Sequence, residues 1–233
     1  MVPDRAELER LYAYPTSDRP WVRTNFVSTL DGAAYAGDGK SGSLGGPVDK
    51  DVFALLRSLA DVIIVGAGTA RTEGYEPVHA GEVDAELRAR LGLAPVPPIA
   101  IVSRRLDIPE ALVNGGQLVI TSADAPPAAL DTLRAGMDVL ALGEGQIDWS
   151  AVLDALAERG LHRVLCEGGP SLHGELVSLD LVDELCLTIA PVMSSGAAPR
   201  IAHSPSFVEH SMQLGHVFDA DGVLLTRWVR SRS

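Results

Sequence analysis

The chain has little cysteine: Cys166 and Cys186 are the only two in 233 residues, and they form no Cys-x-x-Cys pair. A disulfide framework and a zinc ribbon are thereby excluded. Each cysteine lies in an apolar, strand-like run and reads as a small core residue of a reducing compartment. Positive charge is also short, with 19 Lys and Arg against 31 Asp and Glu, a formal net charge of −12. Nucleic acid is excluded as a main partner, because its phosphate backbone demands a basic face. A small phosphorylated ligand needs only a local site. No apolar run reaches the ~18 residues of a membrane span. The charged start Met1-Val2-Pro3-Asp4-Arg5-Ala6-Glu7 lacks the apolar centre of a signal peptide. A cytoplasmic protein with no membrane partner is expected. His79, His162, His173, His203, His210 and His216 include no i, i+4 pair, so no metal is expected. There is no G-x-S-x-G elbow and no G-x-x-x-x-G-K-[ST] loop.

What is present is a globular composition, 46% hydrophobic, of a size that one domain can hold. A single domain over 1–233 is expected, with 1–20 as an N-terminal extension. Strands are predicted at Trp21–Ser28, Val62–Val65, Ile99–Val102, Gln117–Thr121, Met137–Leu142, Val164–Cys166 and Leu185–Ile189. Helices are predicted from Pro47, with Val52, Leu55, Leu56 and Leu59 on one face, and over Pro126–Ala135, Trp149–Arg159 and Ser171–Ser178. Gly74–Pro98 reads as irregular, with a polar helical piece near Glu82–Leu91. Val217–Asp219 and Val223–Val229 flank an Asp-Gly turn and read as a hairpin. Strands alternating with helices give an α/β fold around a mostly parallel sheet, with the hairpin as an antiparallel edge.

Four segments carry chemistry. Glu167-Gly168-Gly169-Pro170-Ser171 follows a buried strand and opens a helix. Its glycines permit close approach, and a helix start of this kind attracts phosphate. A lone buried Glu167 would cost several kcal/mol of desolvation, so it needs a partner or a ligand. Gly66-Ala67-Gly68-Thr69 also ends a buried strand. Arg71 stands where a dinucleotide fingerprint has its third glycine, and no clean helix is predicted to follow, which disfavours a Rossmann reading. Asn25 to Gly32 alternates polar side chains within a core strand and ends in Asp31-Gly32, which is also a plain turn signal. Ser103-Arg104-Arg105 follows a strand, where a hydroxyl and an arginine suit a nucleotide 2′-phosphate as well as they suit a solvated turn.

In their order, these segments resemble the pyrimidine-reductase family of riboflavin biosynthesis, the reductase half of a bifunctional deaminase–reductase. The resemblance runs from about Asn25 to Ile189. It includes Thr29-Leu30-Asp31-Gly32, Leu56-Arg57-Ser58-Leu59-Ala60-Asp61 leading into Val65-Gly66-Ala67-Gly68-Thr69, and Glu167-Gly168-Gly169-Pro170-Ser171-Leu172. Leu181-Val182-Asp183-Glu184-Leu185 and Ile189-Ala190-Pro191 close it. The chain is most similar to stand-alone actinobacterial-type members. The resemblance implies a dihydrofolate-reductase-like fold, NADPH as hydride donor and a homodimer. It places Thr29, Gly66, Gly68, Thr69, Glu73, Ser103, Arg104, Gly168, Gly169, Pro170, Ser171 and Leu172 at the cofactor. Asn25, Ser41 and Glu167 are placed at the substrate, and Asp31 and Glu167 are the expected catalytic pair. Two departures stand out: Ala33 follows the Leu-Asp-Gly motif where the family often has a basic residue, and Glu73-Gly74-Tyr75 replaces an Asp-Asp-Pro or Asp-Asn-Pro segment. No Pro-Cys-x-x-Cys segment of the zinc deaminase half occurs among these residues, so no deamination step is expected of them. The expected activity is reduction of a ribosylaminopyrimidine or of a pterin such as dihydrofolate. The alternative is a non-catalytic nucleotide-binding paralogue.

Overall fold

The β-branched runs pair into one nine-stranded sheet in the computed structural model, which describes residues 3–113 and 115–231. In chain order the elements are α1 (Arg5–Leu11), β1 (Trp21–Ser28), α2 (Gly46–Leu59), β2 (Val62–Gly66), α3 (Ala67–Glu73), α4 (Ala85–Arg90), β3 (Ile99–Val102), β4 (Leu118–Thr121) and α5 (Pro127–Arg134). They continue with β5 (Asp138–Ala141), α6 (Trp149–Glu158), β6 (Arg163–Cys166), α7 (Pro170–Ser178), β7 (Glu184–Ile189), β8 (Met212–Ala220) and β9 (Val223–Arg230). The strand order is β5-β4-β3-β2-β6-β1-β7-β9-β8. Strands β1 to β7 pair in parallel, and β9 joins β7 antiparallel and carries β8. This is the expected α/β sheet with an antiparallel terminal hairpin.

The period of two along each strand divides the core. Ile63, Val65, Ile99, Ile101, Val119 and Leu165 face one side and pack with Val52, Leu55, Leu56 and Leu59 of α2. Val62, Ile64, Ala100, Ile120, Val164 and Cys166 face the other, against Val152, Leu153 and Leu156 of α6 and Leu172 and Leu176 of α7. Burial on both faces explains why β2 reads as a continuous apolar run.

Three elements differ from the sequence expectation. Helix α3 starts directly after Gly66, where no clean helix was predicted. Only Ala67 and Ala70 of it are buried, so it has no apolar stripe to betray it. In the N-terminal extension, α1 forms and leads into Tyr12, which is buried and joins the core. Tyr14 lies under the Arg23 guanidinium, 3.9 Å from its ring centre. Strand β8 starts at Met212, well before the predicted Val217, because its first half lies on an exposed edge with no apolar alternation.

Between β7 and β8 the segment 191–211 runs over the carboxyl ends of the strands. Its Val192 and Pro199 carbonyls accept from Leu30 N and Ala34 N at 2.8 and 2.9 Å. His203 N donates to the Pro170 carbonyl at 2.9 Å, and Nδ1 of His173 lies 2.9 Å from the Ile201 carbonyl. His173 stacks on Phe26, and its burial holds the imidazole down to about 4, as a neutral packing residue. Gly174 gives this strap its close seat: a Cβ there would sit 2.2 Å from the His203 carbonyl oxygen. Gly174→Ala should therefore push strap and helix apart and lower stability by about 1–3 kcal/mol, read by urea denaturation. An unchanged midpoint would show that the seat yields freely.

Candidate active site

The carboxyl ends of β1, β2 and β6 surround a cavity of about 450 Å³. Its walls bring together residues far apart in sequence. Asn25, Phe26 and Val27 come from β1, Asp49, Lys50, Phe53 and Arg57 from α2, and Glu167, Gly169 and Pro170 from the turn after β6. Tyr35 and Ser41 come from the loop after β1, and Thr69 to Glu82 contribute the remaining wall.

The buried carboxylate of Glu167 has its partner. Arg57 Nε and Nη2 donate to Glu167 Oε1 and Oε2 at 2.8 Å each, a bidentate pair. The Tyr75 hydroxyl donates to Oε2 at 2.7 Å. Burial, with the Glu167 charge beside it, pushes the Tyr75 phenol well above its usual range. Arg57 Nη1 reaches Glu82 at 3.0 Å. The expectation for Glu167 is narrowed on this geometry: it lines the cavity, and three accepted hydrogen bonds fix its carboxylate in the wall.

Asp31 is corrected. Its exposed carboxylate accepts from the Thr29 hydroxyl at 2.6 Å and from Ser194 N and Ser195 N at 3.0 and 2.7 Å. The Thr29 hydrogen bond, followed by the two amides, holds it well below the usual carboxylate range. It ties the strap to the β1 turn and does not line the cavity. Thr29 in turn accepts from Ala33 N at 2.9 Å and is a turn former, not a cavity residue.

The remaining expected residues divide by location. Asn25, Ser41, Thr69, Glu73, Gly169 and Pro170 line the cavity. Glu73 accepts from Ser41 N and Oγ at 2.9 and 3.0 Å, so it fixes the loop after β1. Gly66 and Gly168 lie behind the wall, with Gly66 N donating to the Gly168 carbonyl at 2.7 Å. Their pairing sets the starts of α3 and α7 side by side. Gly168 has φ +95° and a Cβ on it would meet the Phe26 ring at 3.0 Å, while one on Gly169 would meet Thr69 Oγ1 at 2.2 Å. Gly68 and Ser171 are exposed in the first turns of α3 and α7. Leu172 is corrected: its side chain packs in the core, leaving only its backbone to face a ligand. Ser103 is buried and Arg104 exposed just beyond β3, the strand next to β2.

Sequence reasoning missed Arg57, Tyr75, Asp49 and Thr188. Asp49 lines the cavity, and its carboxylate accepts from the Thr188 hydroxyl of β7 at 2.6 Å. Burial raises this carboxyl above the usual range, against a lowering by the Thr188 hydrogen bond. In sequence it was an ordinary acidic residue in a first helical turn. Arg57 did carry a signal, an arginine set between Leu56 and Leu59 on a core helix. Among the described residues no group of three or more His, Cys, Asp or Glu is placed to hold a metal, and no helix is long and apolar enough to cross a membrane.

A cavity beyond the carboxyl ends of parallel strands places the protein among the α/β proteins that bind their ligands there. Residues 20–225 match the model of the RibD C-terminal domain, and the chain belongs to that family. It is 28% identical over 196 residues to the 2,5-diamino-6-ribosylamino-4(3H)-pyrimidinone 5′-phosphate reductase of Archaeoglobus fulgidus, covering 82% of this chain and 90% of that protein. It is 30% identical over 187 residues to the reductase of the same name from Methanothermobacter thermautotrophicus, covering 78% and 82%. Among solved structures, a pyrimidine reductase-like protein from Corynebacterium diphtheriae superposes with a TM-score of 0.82 at 27% identity, covering 97% of this chain and 99% of that one.

Removing the Glu167 charge leaves Arg57 with its bidentate partner gone. Glu167→Gln should cost about 3–5 kcal/mol, and the apolar double replacement Arg57→Met with Glu167→Leu should recover most of it. Denaturant unfolding of both variants and the wild type checks this. A single variant within about 1 kcal/mol of wild type would refute a buried-pair role.

Proposed function

We propose that the chain is an NADPH-dependent reductase of a nitrogen heterocycle, either a ribosylaminopyrimidine of the kind named for its relatives or a pterin such as dihydrofolate. The observation that carries this reading is the pair of helix starts beside the cavity. Helices α3 and α7 both begin without a side-chain cap, at Gly66 and Gly169. Their first-turn N–H groups are therefore left for an anion, and the two positive dipole ends reinforce each other. A cofactor diphosphate fits these donors. Gly68, Thr69, Ser171 and the Leu172 backbone would hold it. Ser103 and Arg104, one strand over, would take the 2′-phosphate that separates NADPH from NADH.

When bound, the reduced nicotinamide supplies a hydride. The chain's own part is to orient the heterocycle, exclude water and hold a proton. Phe26 and Val27 give the cavity an apolar floor at its β1 wall. Asn25 offers an amide for ring N–H and carbonyl groups. Glu167, braced by Arg57 and Tyr75, offers its remaining acceptor capacity to ring N–H groups. Adding hydride to a C=N carbon leaves the nitrogen needing a proton. Asp49 takes this role in place of Asp31, since burial favours its neutral, protonated form and it faces the cavity.

Asp49→Asn should lower kcat by about 10²–10⁴-fold while NADPH binding, followed by fluorescence quenching, persists. In the wild type the required form is protonated, so the rate should fall as pH rises through the raised value of Asp49. The Asn variant should lose that limb. Wild-type turnover by Asp49→Asn would remove Asp49 from the chemistry. An absence of NADPH oxidation with every pyrimidine and pterin offered would remove the reductase reading and leave a nucleotide-binding protein.

A further inference from the structure

The charge inside the cavity bears on which substrate it takes. Four glutamates line it, Glu73, Glu76, Glu82 and Glu167, beside Asp49 in its protonated form, against two permanent cations, Lys50 and Arg57. His79 also lines it, with a largely exposed ring 3.7 Å from Glu76. Arg57 has little left to offer an incoming anion. Its Nε and Nη2 donate to Glu167 and its Nη1 to Glu82, so three of its five N–H groups and its charge are already engaged by carboxylates. Glu167 and Arg57 cancel, which leaves Lys50 as the one cation of the lining outside an ion pair, among the described residues. Ala33 adds no charge after the Leu-Asp-Gly turn.

A phosphate ester carries about −1.5 to −2 charges at neutral pH. In this cavity it would meet one lysine and several carboxylates. Like charges placed together in a partly desolvated site work against binding. We infer that the cavity recognises the heterocycle and not a phosphate on it, so that an unphosphorylated aminopyrimidine or pterin is a full substrate. This rests on the reductase reading above and narrows it. It also separates the chain from relatives whose names carry a 5′-phosphate.

The test compares 2,5-diamino-6-ribosylamino-4(3H)-pyrimidinone with its 5′-phosphate, at saturating NADPH. The kcat/KM values should agree within about tenfold, a 1.4 kcal/mol difference. KM for the phosphate ester should fall as ionic strength is raised from about 10 to 150 mM, because the Debye length shortens from about 30 to 8 Å and repulsion is screened. A preference of more than about tenfold for the phosphate ester, or a KM that rises with salt, overturns the inference. Calorimetric titration of both compounds into the NADP⁺-saturated protein reads the same discrimination without turnover. Loss of turnover with both, while both bind alike, therefore overturns the reductase reading alone. Binding of neither overturns both. Glu82→Ala removes the acceptor and the charge, frees Arg57 Nη1 and should move the ratio several-fold toward the phosphate ester. An unmoved ratio overturns the assignment of the discrimination to the Arg57 pairs.

Discussion

The buried pairing of Arg57 with Glu167 is the constraint on which the site depends. It joins the last turn of α2 to the end of β6, two elements 110 residues apart in the chain. Arg57 itself is held from behind: Arg88 donates to the carbonyls of Arg57, Ser58 and Ala60 at 3.1, 3.2 and 2.8 Å. Those carbonyls lie at the end of α2, where intrahelical donors run out. The Arg57 carbonyl also accepts from Ala60 N at 3.3 Å, and the buried Arg88 guanidinium donates to all three. Tyr75 then reads the position of Glu167 through its hydroxyl, and Glu82 reads that of Arg57. Four separate chain segments are thus indexed to one guanidinium–carboxylate plane. A network of this kind is worth most when complete, because each missing member leaves a desolvated neighbour behind.

The glycines play a different part from the one their sequence suggests. Gly66, Gly168 and Gly169 first permit one turn to pack on another. The Gly66 to Gly168 hydrogen bond and the 2.2 Å approach that a Cβ on Gly169 would make to Thr69 Oγ1 both show this. Close packing and ligand binding are not rivals here. Only turns packed this tightly can bring the starts of α3 and α7 within reach of one anion. The ordinary reading of the glycines as packing residues is the physical basis of the functional one.

How far the sequence carried the fold follows from where burial is two-sided. Strands β1, β3 and β6 and helix α6 were legible because apolar periodicity survives wherever an element meets the core. Helix α3 was not, because its stability comes from its seat on β2 and β3 and not from its own residues. The early part of β8 was hidden by its exposed edge. For the site, Glu167 was found from a desolvation argument that demanded a partner, and the partner proved to be Arg57, visible in the same motif string but assigned no role. Asp49 could not be found. An acid in the first turn of a helix has a sufficient local reason to be there, and only the fold shows that it turns inward to Thr188.

Asp31 marks the limit of motif reasoning in the other direction. A carboxylate in a strand-end motif beside an expected cavity looks like a catalyst. Its oxygens instead fasten the 191–211 strap, which also contacts Pro170 and His173 of α7. A catalytic proton donor needs its proton near working pH, and a carboxylate stabilised by a hydroxyl and two amides gives its proton up far too early. Asp49 has a different environment, half-buried and with one neutral donor, where desolvation outweighs the pull of the Thr188 hydrogen bond and of Lys50. The two carboxylates are thus divided between holding the fold and serving the cavity by their surroundings alone.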